Sequence, residues 1–109
     1  MAELSKETEQ KIEQLQLFEQ SLQSMLMQKQ QFQSQLAEIN SALGELEKTE
    51  EAYKIVGNIM VSSKKEDLKE DLGSKKEIIE LRIKTLEKQE NHTKEKAKKL
   101  QEEVAEQIK

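Results

Sequence analysis

The feature that most constrains this chain is a heptad repeat of apolar residues between positions 15 and 46. Counted from Leu15, nine of the ten a and d positions are apolar, and Gln, Glu and Ser fill most of the intervals. This alternating three-four spacing keeps one apolar stripe facing a partner helix, as in a coiled coil. A prion-like tract is the alternative for the glutamine-rich "QKQQFQSQL", but such tracts lack a sustained heptad. The seam consists of Leu15, Phe18, Leu22, Met25, Lys29, Phe32, Leu36, Ile39, Leu43 and Leu46.

A second and less pure seam follows in the C-terminal half of the chain. The Ser63–Glu66 segment has the capping-box pattern and predicts the start of this helix, and Gly73-Ser74 predicts a soft point inside it. Lys76 and Glu90 interrupt its apolar character. Its positions are Leu72, Lys76, Ile79, Ile83, Leu86, Glu90, Thr93, Ala97, Leu100 and Val104.

The composition separates long helices from disorder and excludes several classes of function. The 109 residues are 37% charged and 34% hydrophobic, and contain no proline and no cysteine. The periodicity and the absence of proline favour helices over disorder, and the absence of cysteine excludes disulfides and thiolate metal sites. A net charge of −4 makes nucleic acid a poor partner. No apolar run is long enough to span a membrane, and the acidic N-terminal segment does not resemble a signal peptide, so we expect a cytoplasmic protein with no membrane partner.

The two seams match when the chain folds back on itself in antiparallel fashion. Paired positions then have residue numbers that add up to about 115, as for Leu15 with Leu100. The same register leaves Lys29 and Glu90 about one layer apart, which predicts a partly buried pair that helps to fix the register. The predicted fold class is all-α dominated, a long antiparallel two-helix coiled coil with one short β-hairpin at the helix connection. A single domain over 1–109 is expected, with helices over 1–50 and 64–109 and the insert at 51–63.

The insert "EAYKIVGNIMVSS" is β-like between two helical arms. Gly57-Asn58 suits a two-residue type II′ turn between strands at about 52–56 and 59–63. Both faces of such a hairpin are largely apolar, and an isolated two-stranded hairpin with open edges is marginal in water. We therefore interpret the insert as an assembly module that several chains pool; the alternative is a plain connector folded onto the end of the helices. The oligomerisation residues are Tyr53, Lys54, Ile55, Val56, Gly57, Asn58, Ile59, Met60 and Val61.

The segment "AYKIVGNIMV", bracketed by two heptad arms and followed by "LRIKTLEKQE", resembles the β-class subunit of the prefoldin family, in its archaeal form. The α class carries two hairpins, for which this chain has no room. Ala52 departs from the family pattern, since a larger β-branched residue is common there. The resemblance implies a hexamer of two α-class and four β-class subunits whose hairpins form joined β-barrels. It also implies an ATP-independent holdase, without cofactor, that binds unfolded client proteins and delivers them to a group II chaperonin.

The ends of the two arms carry more apolar residues than one seam can bury. Ile12, Leu17, Leu26 and Met27 lie off the a and d positions, and Ile78 and Leu81 do so in the second arm. We interpret the first group as part of an adaptable, multivalent client surface; the alternative is that isolated surface apolar residues have no function. The client-binding tip residues are Leu4, Ile12, Leu15, Leu17, Leu100, Val104 and Ile108.

Other polar features have plain explanations. A basic cluster near the tip is expected to pair with Glu95, Glu102 and Glu103 or with the acidic first arm; docking to an acidic chaperonin is the alternative. It comprises Lys94, Lys96, Lys98 and Lys99. His92 falls on a solvated helix position, and no nucleophile, phosphate loop or carboxylate pair supports catalysis, so an enzyme is not expected. A purely structural coiled-coil scaffold remains the rival to a holdase.

Overall fold

Two long helices and a β-hairpin between them in the chain make up the fold. The computed structural model describes residues 5–108. Helix α1 spans Lys6–Lys48, strand β1 Ala52–Val56, strand β2 Ile59–Ser63 and helix α2 Lys65–Ile108. The chain forms two compact units. Unit 1 contains the described residues up to Lys29 and from Thr85 onward, and unit 2 contains residues 30–84.

The heptad seams are the apolar interior of each unit. Every one of the twenty predicted seam positions is buried or half-buried, including the polar ones such as Lys29 and Thr93. Leu86 and Ala97 are among the most buried side chains of unit 1, and Ile79 and Ile83 of unit 2. Burying one narrow stripe of a long helix removes apolar surface from water while most of the side chains stay hydrated, which explains how so polar a chain folds.

Contacts between the helices confirm the predicted antiparallel register. In unit 1, Thr8 contacts Gln107 and Lys11 contacts Glu103. In unit 2, the Arg82 guanidinium lies 5.7 Å from the centre of the Phe32 ring, and Lys69 pairs with Glu47. The residue numbers of each of these pairs add up to within one of 115.

The helix ends differ in part from the expectation. Ser63 still belongs to strand β2, and the Lys64 carbonyl accepts the Leu68 amide at 3.1 Å, so the predicted cap at Ser63 is wrong by one residue. The strand pairing of Ser63 with Ala52 holds it in extended conformation. Helix α2 continues through Gly73 without a break, as expected for one helix.

The hairpin agrees with its prediction in bounds, register and turn. Strands β1 and β2 are antiparallel, and Val56 pairs with Ile59 across a two-residue turn. Gly57 has a φ of +62°, and no other residue in the range 5–108 has a positive φ. A positive φ at the first turn position alone is the type II′ pattern, and its twist matches that of the strands.

Candidate assembly and client-binding surfaces

The hairpin places an apolar surface in contact with water. Its six large apolar side chains are between 41% and 70% exposed: Tyr53, Ile55, Val56, Ile59, Met60 and Val61. The described part of the chain holds one sheet of two strands, so each strand has an edge of unpaired backbone groups. Exposed apolar side chains and open edges together are the features that recruit further strands. This exposure argues against the alternative of a connector folded onto the helices.

Both faces of the hairpin share this character. Across one face Lys54 pairs with Val61, and across the other Ile55 pairs with Met60. Ala52, at the base of β1, is buried, so a small residue fits where the family commonly has a larger one. The Tyr53 hydroxyl donates to a Glu51 carboxylate oxygen at 3.4 Å. A partner therefore meets apolar side chains whichever face it approaches.

The predicted tip residues differ widely in exposure. Leu17 and Ile108 are exposed, whereas Ile12, Leu15 and Leu100 are half-buried. Val104 is 8% exposed and belongs to the interior of unit 1. Leu4 lies outside the described residues. All the others belong to unit 1, where Leu26 and Met27 are exposed as well. The structure therefore brings the described tip residues into one unit but leaves only part of them accessible.

A polar network joins the first turn of α1 to the last turn of α2, and sequence reasoning missed it. The Ser5 carbonyl and hydroxyl oxygens accept the Glu9 and Thr8 amides, which makes Ser5 the N-cap of α1. The Thr8 hydroxyl donates to Gln107 Oε1 at 2.7 Å, although Thr8 is only 2% exposed. Since that donation uses the single Thr8 hydroxyl hydrogen, the 2.9 Å contact between the Ser5 and Thr8 hydroxyls has Ser5 as its donor. The sequence signal for this network was Ser5, a residue type that commonly caps a helix start.

Lys11 reinforces the same end of unit 1. Its ammonium group lies 3.3 Å from Glu7 of α1 and 3.4 Å from Glu103 of α2. Burial lowers the pKa of Lys11, but hydrogen bonds to the two carboxylates outweigh it and leave the pKa raised. The lysine therefore stays charged and links the helices just inside the Thr8–Gln107 contact.

The Lys29–Glu90 pair that the sequence predicted is present. The lysine Nζ lies 2.7 Å from Glu90 Oε1, with side-chain exposures of 21% and 8%. The hydrogen bond to Glu90 raises the pKa of Lys29 against the opposing effect of burial. A buried carboxylate needs such a partner, because removing one member of the pair leaves the other charge uncompensated.

The basic cluster of α2 is solvated. Lys94, Lys96, Lys98 and Lys99 are exposed, and within residues 5–108 none of them forms an ion pair, whereas Glu103 pairs with Lys11. The carboxylate pairing expected for the cluster is therefore not seen. His92 is exposed, as predicted, and the described residues contain no group of acidic or His side chains able to hold a metal ion. None of the described helices has the length and apolarity that crossing a membrane requires.

These features define a class of protein: a chain of paired heptad helices that carries an apolar two-stranded hairpin with exposed side chains and open edges. Comparison with known proteins gives the same answer. A family model described as "Prefoldin subunit" matches residues 9–109. "Prefoldin subunit beta" of Archaeoglobus fulgidus is 41% identical over 99 residues, covering 88% of this chain and 85% of that protein. The protein of the same name from Thermococcus onnurineus is 40% identical, covering 84% and 81% respectively.

The solved structures agree. The crystal structure of the prefoldin beta subunit from Thermococcus strain KS-1 matches with a TM-score of 0.89 and 33% identity, covering 95% of this chain and 94% of that one. The chain belongs to the prefoldin subunit family. Its members are chaperone subunits, and the beta subunits function in a hetero-oligomeric prefoldin complex.

Proposed function

We propose that this chain is a β-class subunit of a cytoplasmic, ATP-independent holdase, which binds unfolded proteins and transfers them to a group II chaperonin. Its partners are α-class prefoldin subunits and further copies of itself, in a hexamer of two α and four β. The observation that carries the proposal is the exposed hairpin: six large apolar side chains stand in water on a two-stranded sheet with two open edges. Such a surface needs further strands, and a hetero-oligomeric chaperone supplies them.

The assembly part of the proposal rests on the hairpin residues 53–61. Replacing Ile55 and Ile59 with Asp adds one charge to each face, since Ile55 pairs with Met60 and Ile59 with Val56. Charges on both apolar faces oppose burial in a shared sheet, and we expect the hexamer to dissociate. Size-exclusion chromatography with light scattering measures the outcome. Helical content by circular dichroism serves as the control, because the seams are untouched. A hexamer that survives the double substitution favours a scaffold held together by the coiled coils alone.

The client-binding part rests on the exposed apolar residues of unit 1. Leu17 is the apolar member of a surface groove otherwise lined by Glu7, Gln10, Lys11, Glu13 and Gln14. A contact with a single exposed leucine binds an unfolded protein weakly. Several tethered arms raise the effective concentration of such contacts enough to retain the unfolded chain. The polar side chains around it keep the assembly dispersed between contacts.

The test uses the complete assembly with its α-class partner and no nucleotide. Guanidinium-unfolded citrate synthase is diluted into it, and aggregation is followed by light scattering. We expect suppression by the native assembly and its loss when residues 1–17 and 98–109 are removed while the oligomer survives. A finer variant, Leu17→Ser with Ile108→Ser, should weaken suppression. Ile78→Ser, at an exposed residue of unit 2, should not weaken it at a protein concentration where light scattering shows that the hexamer is intact. Equal suppression by the deleted and intact assemblies contradicts the client-site assignment.

Transfer to a chaperonin forms a separate step. The solvated lysines of α2 are the groups available for an acidic docking partner. Passage of labelled citrate synthase from the assembly to a purified group II chaperonin is the measurement. An assembly that suppresses aggregation but never passes its client on supports holding without delivery.

A further inference from the structure

The end of unit 1 where α1 begins and α2 ends is closed by polar groups, although the residues just inside it are aliphatic. Thr8 is only 2% exposed, and its hydroxyl donates to Gln107 across the two helices. Lys11 makes a second crossing to Glu103 one turn further in. We call the Ser5–Thr8–Gln107 hydrogen bonds the latch.

The latch lies over predicted client-binding residues that the folded unit does not offer. Val104 is buried, and Ile12, Leu15 and Leu100 are half-buried, at one to two helical turns from Thr8 on α1 or from Gln107 on α2. A side chain buried in the seam cannot contact an unfolded protein unless the helix ends separate. Helix ends are also the segments of a coiled coil that open at the lowest free energy.

We infer that the client site is partly cryptic: opening of the Ser5–Thr8–Gln107 latch exposes an aliphatic strip that binds the aliphatic segments of unfolded proteins. The strip is Ile12, Leu15, Leu100 and Val104, and it contains neither an aromatic ring nor a charge. This inference rests on the proposed function and deepens it. The exposed Leu17 and Ile108 make the first contact, and the strip adds apolar area only after the ends separate.

The energetics suit such a switch. One hydrogen bond contributes a small net free energy, because water replaces the lost partner when the bond breaks, so the latch biases the ends without locking them. A ligand that binds only the open form draws the population toward it by its differential affinity. Removing the Thr8 hydroxyl should therefore raise client affinity by about two- to tenfold. This is the change in an equilibrium constant that corresponds to the net free energy of one hydrogen bond.

The test locks the latch covalently. The native sequence has no cysteine, so Thr8→Cys with Gln107→Cys introduces the chain's only thiols. The assembly is prepared with an α-class partner that lacks cysteine, and a gel shift after thiol labelling reports closure. The control lock is Glu47→Cys with Lys69→Cys, which joins the helices in unit 2 at another side-chain contact.

Two measurements are made on each locked assembly, in its oxidised and in its reduced form. Holding of guanidinium-unfolded citrate synthase is the first, and fluorescence of anilinonaphthalene sulfonate without client, which reports exposed apolar surface, is the second. We expect the oxidised Thr8–Gln107 lock to lower both several-fold relative to its reduced form, and the oxidised control lock to change neither. Thr8→Val, which keeps the shape of the side chain, should raise both.

The outcomes separate the latch from the proposed function. Equal dye and client binding by the oxidised and reduced lock overturns the inference, as does a Thr8→Val assembly that binds no more dye than the native one. If the native assembly holds no client, the proposed function fails, and the dye signal still decides whether the latch controls the aliphatic strip. Should the disulfide not form, the Thr8→Val arm alone decides.

Discussion

Gly57 and Gly73 are the same residue type, but the backbone requires glycine at only one of the two positions. Gly57 holds a φ of +62° at the turn, where a Cβ would strain the backbone, although its surroundings leave open space. Gly73 lies inside α2, about two turns from its start, where glycine only adds flexibility to the unfolded chain. The glycine at the turn is required by the backbone, and the glycine in the helix is not.

We therefore expect an Ala substitution to destabilise the protein at position 57 and to stabilise it at position 73. Gly57→Ala should destabilise the hairpin by about 1 kcal/mol and weaken assembly, because L-residues disfavour the left-handed region. Gly73→Ala should raise the free energy of unfolding by about 0.5–1 kcal/mol. Light scattering over a range of protein concentrations measures the dissociation of the Gly57→Ala assembly. Urea denaturation followed by circular dichroism measures the stability of Gly73→Ala. A stabilising Gly57→Ala variant would rule out the type II′ turn.

At the scale of the element, adjacent residues of α2 give a direct test of the seam. Ile79 is 8% exposed and Ile78 is 51% exposed, so the two differ in burial but not in chemistry. Ile79→Ala should lower the free energy of unfolding by about 2–3 kcal/mol through lost burial and a residual cavity. Ile78→Ala should change it by less than about 0.5 kcal/mol. Equal losses in the isolated subunit would contradict the register.

In the assembled complex the same pair tests a further contact. Ile78 lies off the seam and is 51% exposed, so its side chain is available to a neighbouring subunit. If Ile78→Ala is neutral in the isolated subunit but weakens the hexamer, that contact exists. An unchanged hexamer shows that Ile78 is an ordinary solvated apolar residue.

The heptad made these elements predictable, since a three-four repeat allows one face to be buried and an antiparallel register with residue numbers that add up to about 115 pairs the two seams along their length. That register also placed Lys29 near Glu90. The Thr8–Gln107 bond was not predictable, because it depends on where α1 begins. A helix start is set by competition among capping side chains over a few residues, and the chain offers several of them. The cap of α2 falls at Lys64 and not at Ser63 for another reason, because strand pairing with Ala52 keeps Ser63 extended.

The Lys29–Glu90 pair predicts a pH dependence with a defined sign. Because the pKa of Lys29 is raised in the folded state, its contribution to stability is fully present below the ordinary lysine value of 10.5. It is lost as the pH rises through the raised value. The native chain should therefore lose thermal stability above about pH 10.5 more steeply than a Lys29→Met, Glu90→Leu double variant, which buries an apolar pair of similar volume. Lys29→Met alone should be the least stable at pH 7, since it leaves the buried Glu90 without its partner. Parallel alkaline slopes for native and double variant would contradict this assignment.

At the scale of the whole molecule, charge is distributed unevenly along the chain. Residues 1–50 carry four lysines and nine acidic residues, while the lysines at positions 94 to 99 remain unpaired within the described structure. A solvated basic cluster is attracted to an acidic partner protein. This attraction increases the association rate at low salt, where it is not screened. We expect the cluster to contribute little to retaining an apolar client, because it offers only charged groups.

Holding and delivery should therefore respond differently to one set of substitutions. Replacing Lys94, Lys96, Lys98 and Lys99 with Gln should leave suppression of citrate synthase aggregation unchanged. It should slow client transfer to a group II chaperonin by about tenfold or more at low ionic strength, because electrostatic steering acts on the association rate. The difference from the native rate should shrink as salt is raised, since screening removes the same attraction. A matched set that replaces Lys64, Lys65, Lys75 and Lys84 of unit 2 with Gln controls for net charge. Equal slowing by both sets would assign the effect to overall charge and not to the cluster, and a salt-independent loss would point to a direct structural contact.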